Sequence, residues 1–282
     1  MHPHAKGKNI QDNIYSSVVF FNTPHSIQKH LYVKMKVIIQ NVFRIGSEFL
    51  LKYTIHPLGD SALIVEFLLT DAEKCLNAVT AFTLALSRRK NNAIIEAVPA
   101  FKTVTVHFDP LKISSSSPFN VLKDILAYEI NALKMLEDSS SKDVLSIPVL
   151  YGKHAGPDLS FVADHNSLDE ASVIEFHSSR IYSVAFLGFS PGFPFLSGMD
   201  PAIAAPRKKN PRVRIEAGSV GIAGNQTGIY PLASPGGWQI IGKTPLKLFD
   251  PDTPGKPALL SQGDKVRFYS ITENQFKEME ES

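Results

Sequence analysis

The stretch from Phe186 to Trp238 limits what this chain can become. Gly or Pro interrupts it every few residues, so no helical period survives there. It nevertheless carries Phe186, Phe189, Phe193, Phe195, Tyr230 and Trp238, more large apolar side chains than a disordered linker holds. Arg207, Lys208, Lys209 and Arg212 sit between those aromatics, with Arg214 just beyond. A segment this stiff in backbone and this rich in aromatic and basic groups reads as a loop-built pocket on a β scaffold.

The sequence around it agrees. Short β runs alternate with turn signals: LSIPVLY, RIYSVAFLGF, SVGIAG, WQIIG, LKLF and KVRFYS. That pattern predicts an all-β barrel or sandwich. One helix interrupts it, with Ser167 and Glu170 spaced as a capping box before DEASVIEFHS. His177 falls in its last turn, where the helix dipole favours the charged imidazole. The tail NQFKEMEES reads as a frayed end.

The first half has another texture. In SALIVEF, Leu63, Val65 and Phe67 alternate with Ala62, Ile64 and Glu66, as a strand requires. Thr70 or Asp71 can cap the helix that follows, whose Ala72, Cys75, Leu76, Val79, Phe82 and Leu86 repeat at helical spacing. Cys75 on that stripe reads as a small core residue. Two strands come next, IIEAVPAF and TVTVHF, with His107 on the polar face of the second. Pro118 then opens a helix with Leu122, Ile125, Leu126, Ile130 and Leu133 on its apolar side. The order ββαββα predicts an α+β sandwich. The polar run EDSSSKD, Glu137 to Asp143, marks the boundary. The expected division is a poorly ordered extension over 1–50, an α+β domain over 51–140 and a barrel domain over 144–275.

Composition closes several routes. The net charge of +2 gives no electrostatic footprint for nucleic acid. A single cysteine excludes an intramolecular disulfide and makes a reducing, cytoplasmic location the default. No apolar run is long enough to span a bilayer, and the nine histidines show no metal-ligand spacing.

Known catalytic signatures fail in turn. GFSPGFPF lacks the Gly-Lys-Ser/Thr ending of a phosphate loop. No GxGxxG follows a strand, and the GxSxG spacing of Gly188 to Gly192 does not mark a nucleophile elbow. Ser190, with no base at a recognisable distance, reads as a turn residue. What remains is cationic. Arg207 and Arg212 each follow a proline and could grip a carboxylate, carbamate or phosphate in two-pronged fashion. Arg214 is a weaker candidate. The residues thus supply a pocket without a self-contained catalytic set.

The runs VAFLGFSPGFPFLSGM, APRKKNPR, EAGSVGIAGNQTGIYP and SPGGWQIIGKTPLKLF closely resemble the B-subunit family of prokaryotic 5-oxoprolinase. That family includes the sporulation kinase inhibitor KipI and is similar to subdomains C and D of the urea carboxylase carboxyltransferase region. The match extends upstream through IHPLGDSALIVEF, IPVLYG and GPDL to the His177 position.

The resemblance implies a ferredoxin-like α+β domain followed by an all-β cyclophilin-like barrel. It also implies a heteromeric complex, in which this chain joins a larger C-subunit plus an A-subunit to open 5-oxoproline to glutamate with ATP hydrolysis. No nucleotide motif is legible here, so ATP is assigned to the complex. The alternative it implies is a KipI-like inhibitor of a sensor histidine kinase. In the enzyme reading Arg207 and Arg212 hold the anionic substrate or an acyl-phosphate, and Phe193, Tyr230 and Trp238 form the apolar wall. Gln226 and backbone amides polarise the lactam carbonyl, and His177 is either a proton carrier or a structural helix-end histidine. One departure stands out. The family usually has Pro where this chain has Glu216, a carboxylate two residues from Arg214 that can pair with it. The extension before Leu51 has no family counterpart.

Overall fold

The computed structural model describes residues 51–89, 91–133 and 143–281. The N-terminal extension and most of the Ser-rich boundary segment lie outside the described residues.

Strands β1 (Tyr53–Pro57), β2 (Ala62–Phe67), β3 (Ile94–Pro99) and β4 (Thr103–Phe108) form a four-stranded antiparallel sheet in the order β1-β2-β4-β3. Strand alternation gives it one apolar face: Leu63, Val65 and Phe67 of β2 and Val104, Val106 and Phe108 of β4 are buried. Register holds these pairs together, with Val65 opposite Val104 and Leu63 opposite Val106. Helices α1 (Ala72–Arg88) and α2 (Pro118–Asn131) pack into the same core through Cys75, Val79, Phe82 and Leu86, and through Leu122, Leu126 and Ile130. Asp71 caps α1, its carboxylate accepting from the Glu73 and Lys74 amides at 3.0 Å each. Such a cap contributes about 1 kcal/mol, whereas truncating one buried Leu of this core costs about 2–5 kcal/mol. Packing therefore decides the fold and capping trims the helix start. Cys75 is fully buried, with Sγ 3.7 Å from the Phe67 carbonyl oxygen, and burial pushes its thiol pKa up. It is a core residue.

The second half closes on itself. Strands β5 (Val144–Tyr151), β6 (Tyr182–Leu187), β7 (Pro194–Ser197), β9 (Ser219–Ala223), β10 (Gln226–Ile229), β12 (Gln239–Lys243) and β13 (Lys265–Ser270) form a barrel in the order β10-β7-β6-β13-β5-β12-β9. The two architectures left open by the sequence resolve to the one that leaves no strand edge unpaired. β8 (Arg212–Ile215) and β11 (Ser234–Gly236) form a separate two-stranded ribbon. Helices α3 (Leu159–His165) and α4 (Glu170–Ser178) contribute Leu159, Val162 and Val173 to the barrel core, and α5 (Glu273–Glu280) ends the described chain.

Alternation along the strands produces two apolar clusters. Leu196, Ile222, Ile229 and Ile241 join the main core. Their neighbours Phe195, Ala223, Tyr230 and Ile240 belong to a second cluster with Phe193, Ile215 and Trp238. Period-two patterning puts that second, mostly aromatic cluster on the opposite face of the same barrel wall.

Several local expectations change. The N-cap of α4 is Asp169, which accepts from the Ser172 amide at 2.7 Å. Ser167 instead has φ +56°, a turn geometry that cannot start a helix. The seven-residue helix α3 is too short to show a period. The tail is not frayed, because Thr272 and Gln275 form a reciprocal capping box and Phe276 is buried. LKLF is not a strand: Phe249 makes one isolated bridge to Ala258, although Leu248 is buried.

Candidate functional site

The aromatic cluster is built on missing side chains. Gly221 of β9 and Gly228 of β10 are direct cross-strand partners. A Cβ at Gly228 would lie 3.0 Å from Cε1 and Cζ of Phe193, and one at Gly221 would lie 3.2 Å from Cβ of Trp238. The glycines thus leave a flat patch of backbone on which the two rings rest. Gly236 of the β8/β11 ribbon is tighter still, since a Cβ there would fall 2.4 Å from the Tyr230 hydroxyl oxygen.

On this floor the rings meet edge to face, as their quadrupoles favour. Phe193 meets Tyr230 at 5.1 Å and 87°, and Trp238 at 5.5 Å and 83°. Phe195 closes against Trp238 at 5.9 Å. The β6–β7 loop brings Phe189 over the group, 5.5 Å from Phe193 and 6.2 Å from Tyr230. Two backbone bonds pin that loop, Gly188 to Phe193 and Phe193 to Ser190, both 3.1 Å. Phe189 itself has φ +68° and is 66% exposed, a bulky residue held in the left-handed region at a cost of about 1 kcal/mol. Ser190 carries a buried hydroxyl with no partner among the described residues.

Phe189, Phe193, Phe195, Tyr230 and Trp238 together with Arg207, Gly236 and Gly237 line a cleft of about 110 Å³. Arg207 reaches it because its flanks are fixed. The Lys208 amide donates to the Gly237 carbonyl at 2.7 Å, and Nε2 of Gln239 donates to the Pro206 carbonyl at 2.8 Å. No ion pair of Arg207 occurs among the described residues. Burial raises the Tyr230 pKa, with the Trp238 backbone and the charges of Arg207 and Arg212 acting the other way. Tyr230 is therefore a neutral phenol at physiological pH.

Arg212 is used differently from the sequence expectation. Its guanidinium grips Asp158 with both prongs, Nη1 to Oδ2 at 2.7 Å and Nη2 to Oδ1 at 2.8 Å. Lys208 Nζ joins at 2.9 Å, and the Ile240 amide donates to Oδ2 at 2.7 Å. Burial alone would raise the Asp158 pKa, but the bonds from Arg212, Lys208 and Ile240 outweigh it and hold the carboxyl below the usual range. Arg212 is thus committed to a protein carboxylate and does not line the cleft. Arg214 pairs with Glu216 at 2.7 Å on the surface, the pairing expected from their spacing in sequence.

His177 is also placed elsewhere. It is 0% exposed, with Nδ1 2.8 Å from the Tyr151 hydroxyl and Nε2 2.9 Å from the Thr227 hydroxyl. Its ring stacks on Phe268 at 4.4 Å. Burial pushes its pKa down to about 3, so desolvation overrides the helix dipole and the imidazole is neutral. Gln226 is half-buried at the start of β10, opposite Ala223, and does not line the cleft. Of the residues singled out from sequence, Arg207, Phe193, Tyr230 and Trp238 come together; Arg212, His177 and Gln226 do not join them. Phe189, Phe195, Gly236 and Gly237 complete the cleft, and their signal was their place in the aromatic, glycine-rich stretch itself. Asp158 carried no signal, since its partner Arg212 is 54 residues away in the chain.

Among the described residues no cluster of three or more His, Cys, Asp or Glu is arranged to hold a metal, and no helix is long and apolar enough to cross a membrane.

The chain thus combines a four-stranded antiparallel sheet with a seven-stranded closed barrel that carries an aromatic cleft on its wall. The chain belongs to the family of the carboxyltransferase domain, subdomain C and D, whose pattern matches residues 53–260. Within it, the chain is similar to the 5-oxoprolinase B-subunit of Bacillus subtilis, 44% identical over 80% of this chain and 95% of that protein. It is 43% identical to the 5-oxoprolinase B-subunit of Escherichia coli O157:H7 over 62% of this chain and 77% of that protein. Among solved structures, TTHA0988 superposes with a TM-score of 0.64 at 35% identity over 78% of this chain, which spans only 41% of that longer chain. The Kluyveromyces lactis urea carboxylase shares the fold with a TM-score of 0.67 at 24% identity, over 85% of this chain and 23% of the enzyme.

Proposed function

We propose that this chain is the B-subunit of an ATP-dependent 5-oxoprolinase that converts 5-oxo-L-proline to L-glutamate. Its partners in this reading are the C- and A-subunits of that enzyme, and its compartment is the cytoplasm. The observation that carries the reading is the similarity to a 5-oxoprolinase B-subunit over 95% of that protein's length. The cleft is chemically suited to it. A five-membered lactam offers two flat apolar faces and one carboxylate; the cleft offers aromatic ring faces and one cation outside any ion pair among the described residues. Arg207 would take the carboxylate in a charge-assisted pair, and Phe189, Phe193 and Trp238 would hold the ring.

The same geometry explains why the chain should need partners. The cleft contributes anchoring and exclusion of water, and apart from the neutral Tyr230 phenol no acid, base or nucleophile is among the residues that line it. Those groups are assigned to the partner chains, so the site is composite. A nucleoside triphosphate does not fit these residues, because a single arginine and an aromatic wall give no phosphate cradle. In the same proposal residues 51–140 form a ferredoxin-like domain and residues 144–275 a cyclophilin-like one.

The test is reconstitution. The purified chain is mixed with the A- and C-subunits, and ATP-dependent glutamate release is measured with each component omitted in turn. Release that requires this chain supports the reading. A complete mixture that releases none overturns it.

A further inference from the structure

We propose that Phe101, at the tip of the β3–β4 hairpin, is a positioning residue for the cleft. It holds the cleft wall from the α+β layer through Phe186 and Phe195. The hairpin tip is itself fixed on both sides, because the Ala100 amide donates to the Thr103 carbonyl and the Phe67 amide to the Lys102 carbonyl, each at 2.8 Å. From this pinned loop the Phe101 ring stands edge-on to Phe186 at 5.0 Å and 86°, and to Phe195 at 6.2 Å and 83°. Those two rings stack on each other at 4.5 Å and 16°. Phe195 then meets Phe193 at 4.9 Å and Trp238 at 5.9 Å, and it lines the cleft.

The rings therefore run without a break from the sheet layer to the cleft. Phe101 covers one side of the Phe186–Phe195 stack. The edge-to-face contacts of Phe101 favour the present orientation of the Phe186 and Phe195 rings. With Phe101 truncated, the stack would be open to water on that side and Phe195 free to reorient, which changes the shape offered to a ligand. A second tie supports the same docking: Gln262 Nε2 lies 3.4 Å from the Thr80 hydroxyl, joining the barrel to α1. The sheet layer, which contributes no residue to the cleft lining, thereby acquires a part in its geometry.

As a claim about substrate this rests on the reading of the cleft as the 5-oxoproline pocket; as a claim about the wall it stands alone, and the test separates the two. Trp238 is the only tryptophan in the chain, so 5-fluorotryptophan labelling gives one fluorine resonance inside the cleft wall. In the ligand-free full chain, Phe101→Ala and the bulkier Phe101→Leu are expected to move and broaden that resonance. Phe101→Tyr, which keeps the ring, is expected to leave it in place. In the reconstituted complex, losing the pair contact should raise KM for 5-oxoproline about twofold to tenfold with kcat little changed, and the Tyr variant should restore it. Phe101→Leu keeps the experiment informative if the alanine variant unfolds. A resonance unmoved in folded Phe101→Leu overturns the inference. A moved resonance with unchanged KM upholds the wall's dependence on Phe101 and removes 5-oxoproline from this cleft instead.

Discussion

Arg212 closes on Asp158 with both of its guanidinium nitrogens, at 2.7 and 2.8 Å, and so welds the β8/β11 ribbon to the segment entering α3. Asp158 is 5% exposed and gathers four bonds from Arg212, Lys208 and the Ile240 amide. Removing one member of a buried pair leaves the other charge stranded, at a cost of about 3–5 kcal/mol. Asp158→Ala is therefore expected to lower the denaturation midpoint strongly, and Arg212→Ala less so, because Lys208 remains to neutralise the carboxylate. Both variants, where folded, should bind 5-oxoproline close to normally. Urea melts alongside KM values separate this structural assignment from a ligand-binding one.

Arg207 should behave in the opposite way. It is exposed and makes no ion pair with a described residue, so Arg207→Ala should change stability by no more than about 0.5 kcal/mol. Losing a charged hydrogen-bond partner for the substrate costs about 1.5–3 kcal/mol, which is about a tenfold to hundredfold rise in KM. Arg207→Lys should recover only part of it, since a point charge cannot reproduce a planar fork. A KM unchanged in the alanine variant would remove Arg207 as the anchor.

His177 makes a pH prediction. Its folded pKa is about 3 against an ordinary 6.5, so between those values the unfolded chain binds a proton that the folded chain refuses. The stability is fully present above pH 6.5 and is lost as the pH falls toward 3. The slope should approach about 1.4 kcal/mol per pH unit for this one group. Asp158, depressed below 3.8, adds its own loss only in more acid solution. Melting temperatures followed from neutral pH down to about pH 4.5 should show the decline. His177→Gln should start lower, having disturbed Tyr151 and Thr227, but decline less steeply.

Gly236 can be tested by one carbon. A Cβ at this position would overlap the Tyr230 hydroxyl at 2.4 Å and Cδ1 of Ile215 at 2.7 Å, and neither neighbour has free space, both being buried. Gly236→Ala is expected to cost about 1–3 kcal/mol by overpacking and to weaken 5-oxoproline binding at the same time. Gly224→Ala is the spatial control, because nothing lies within 4 Å of its Cβ position; at φ +57° it reports backbone strain alone.

What the sequence disclosed depended on the range of the interaction. The alternation in SALIVEF and TVTVHF and the helical stripe from Cys75 to Leu86 are local, and they locate β2, β4 and α1 within a residue or two. The cleft was legible as a region because aromatics and glycines crowd one stretch. Its membership was not, because Arg207 and Arg212 look alike in APRKKNPR and differ only in what stands opposite each in space. Asp158 fixes that difference, and a polar pairing between distant loops leaves no period to read. The charge state of His177 was not legible for a related reason. Helix position favours its charge by less than about 2 kcal/mol, and only the folded chain shows the complete burial that outweighs it. The C-terminal helix was hidden by its polarity, although its Thr272–Gln275 spacing was a usable start signal.

The barrel's closing strand has a consequence for how the protein comes into being. β13 lies between β5 and β6, pairing parallel with β5 from Lys265 opposite Val144 to Ser270 opposite Val149. The first strand of the barrel thus waits for the last. On the ribosome, everything from Val144 through the cleft must emerge before the seam can be sewn, and until then β5 and β6 each offer an open edge to any passing chain. A nascent chain cut short before Lys265 could carry every cleft residue and still lack the hoop that holds them. The strand that closes the barrel is therefore made only after every residue that would meet a ligand.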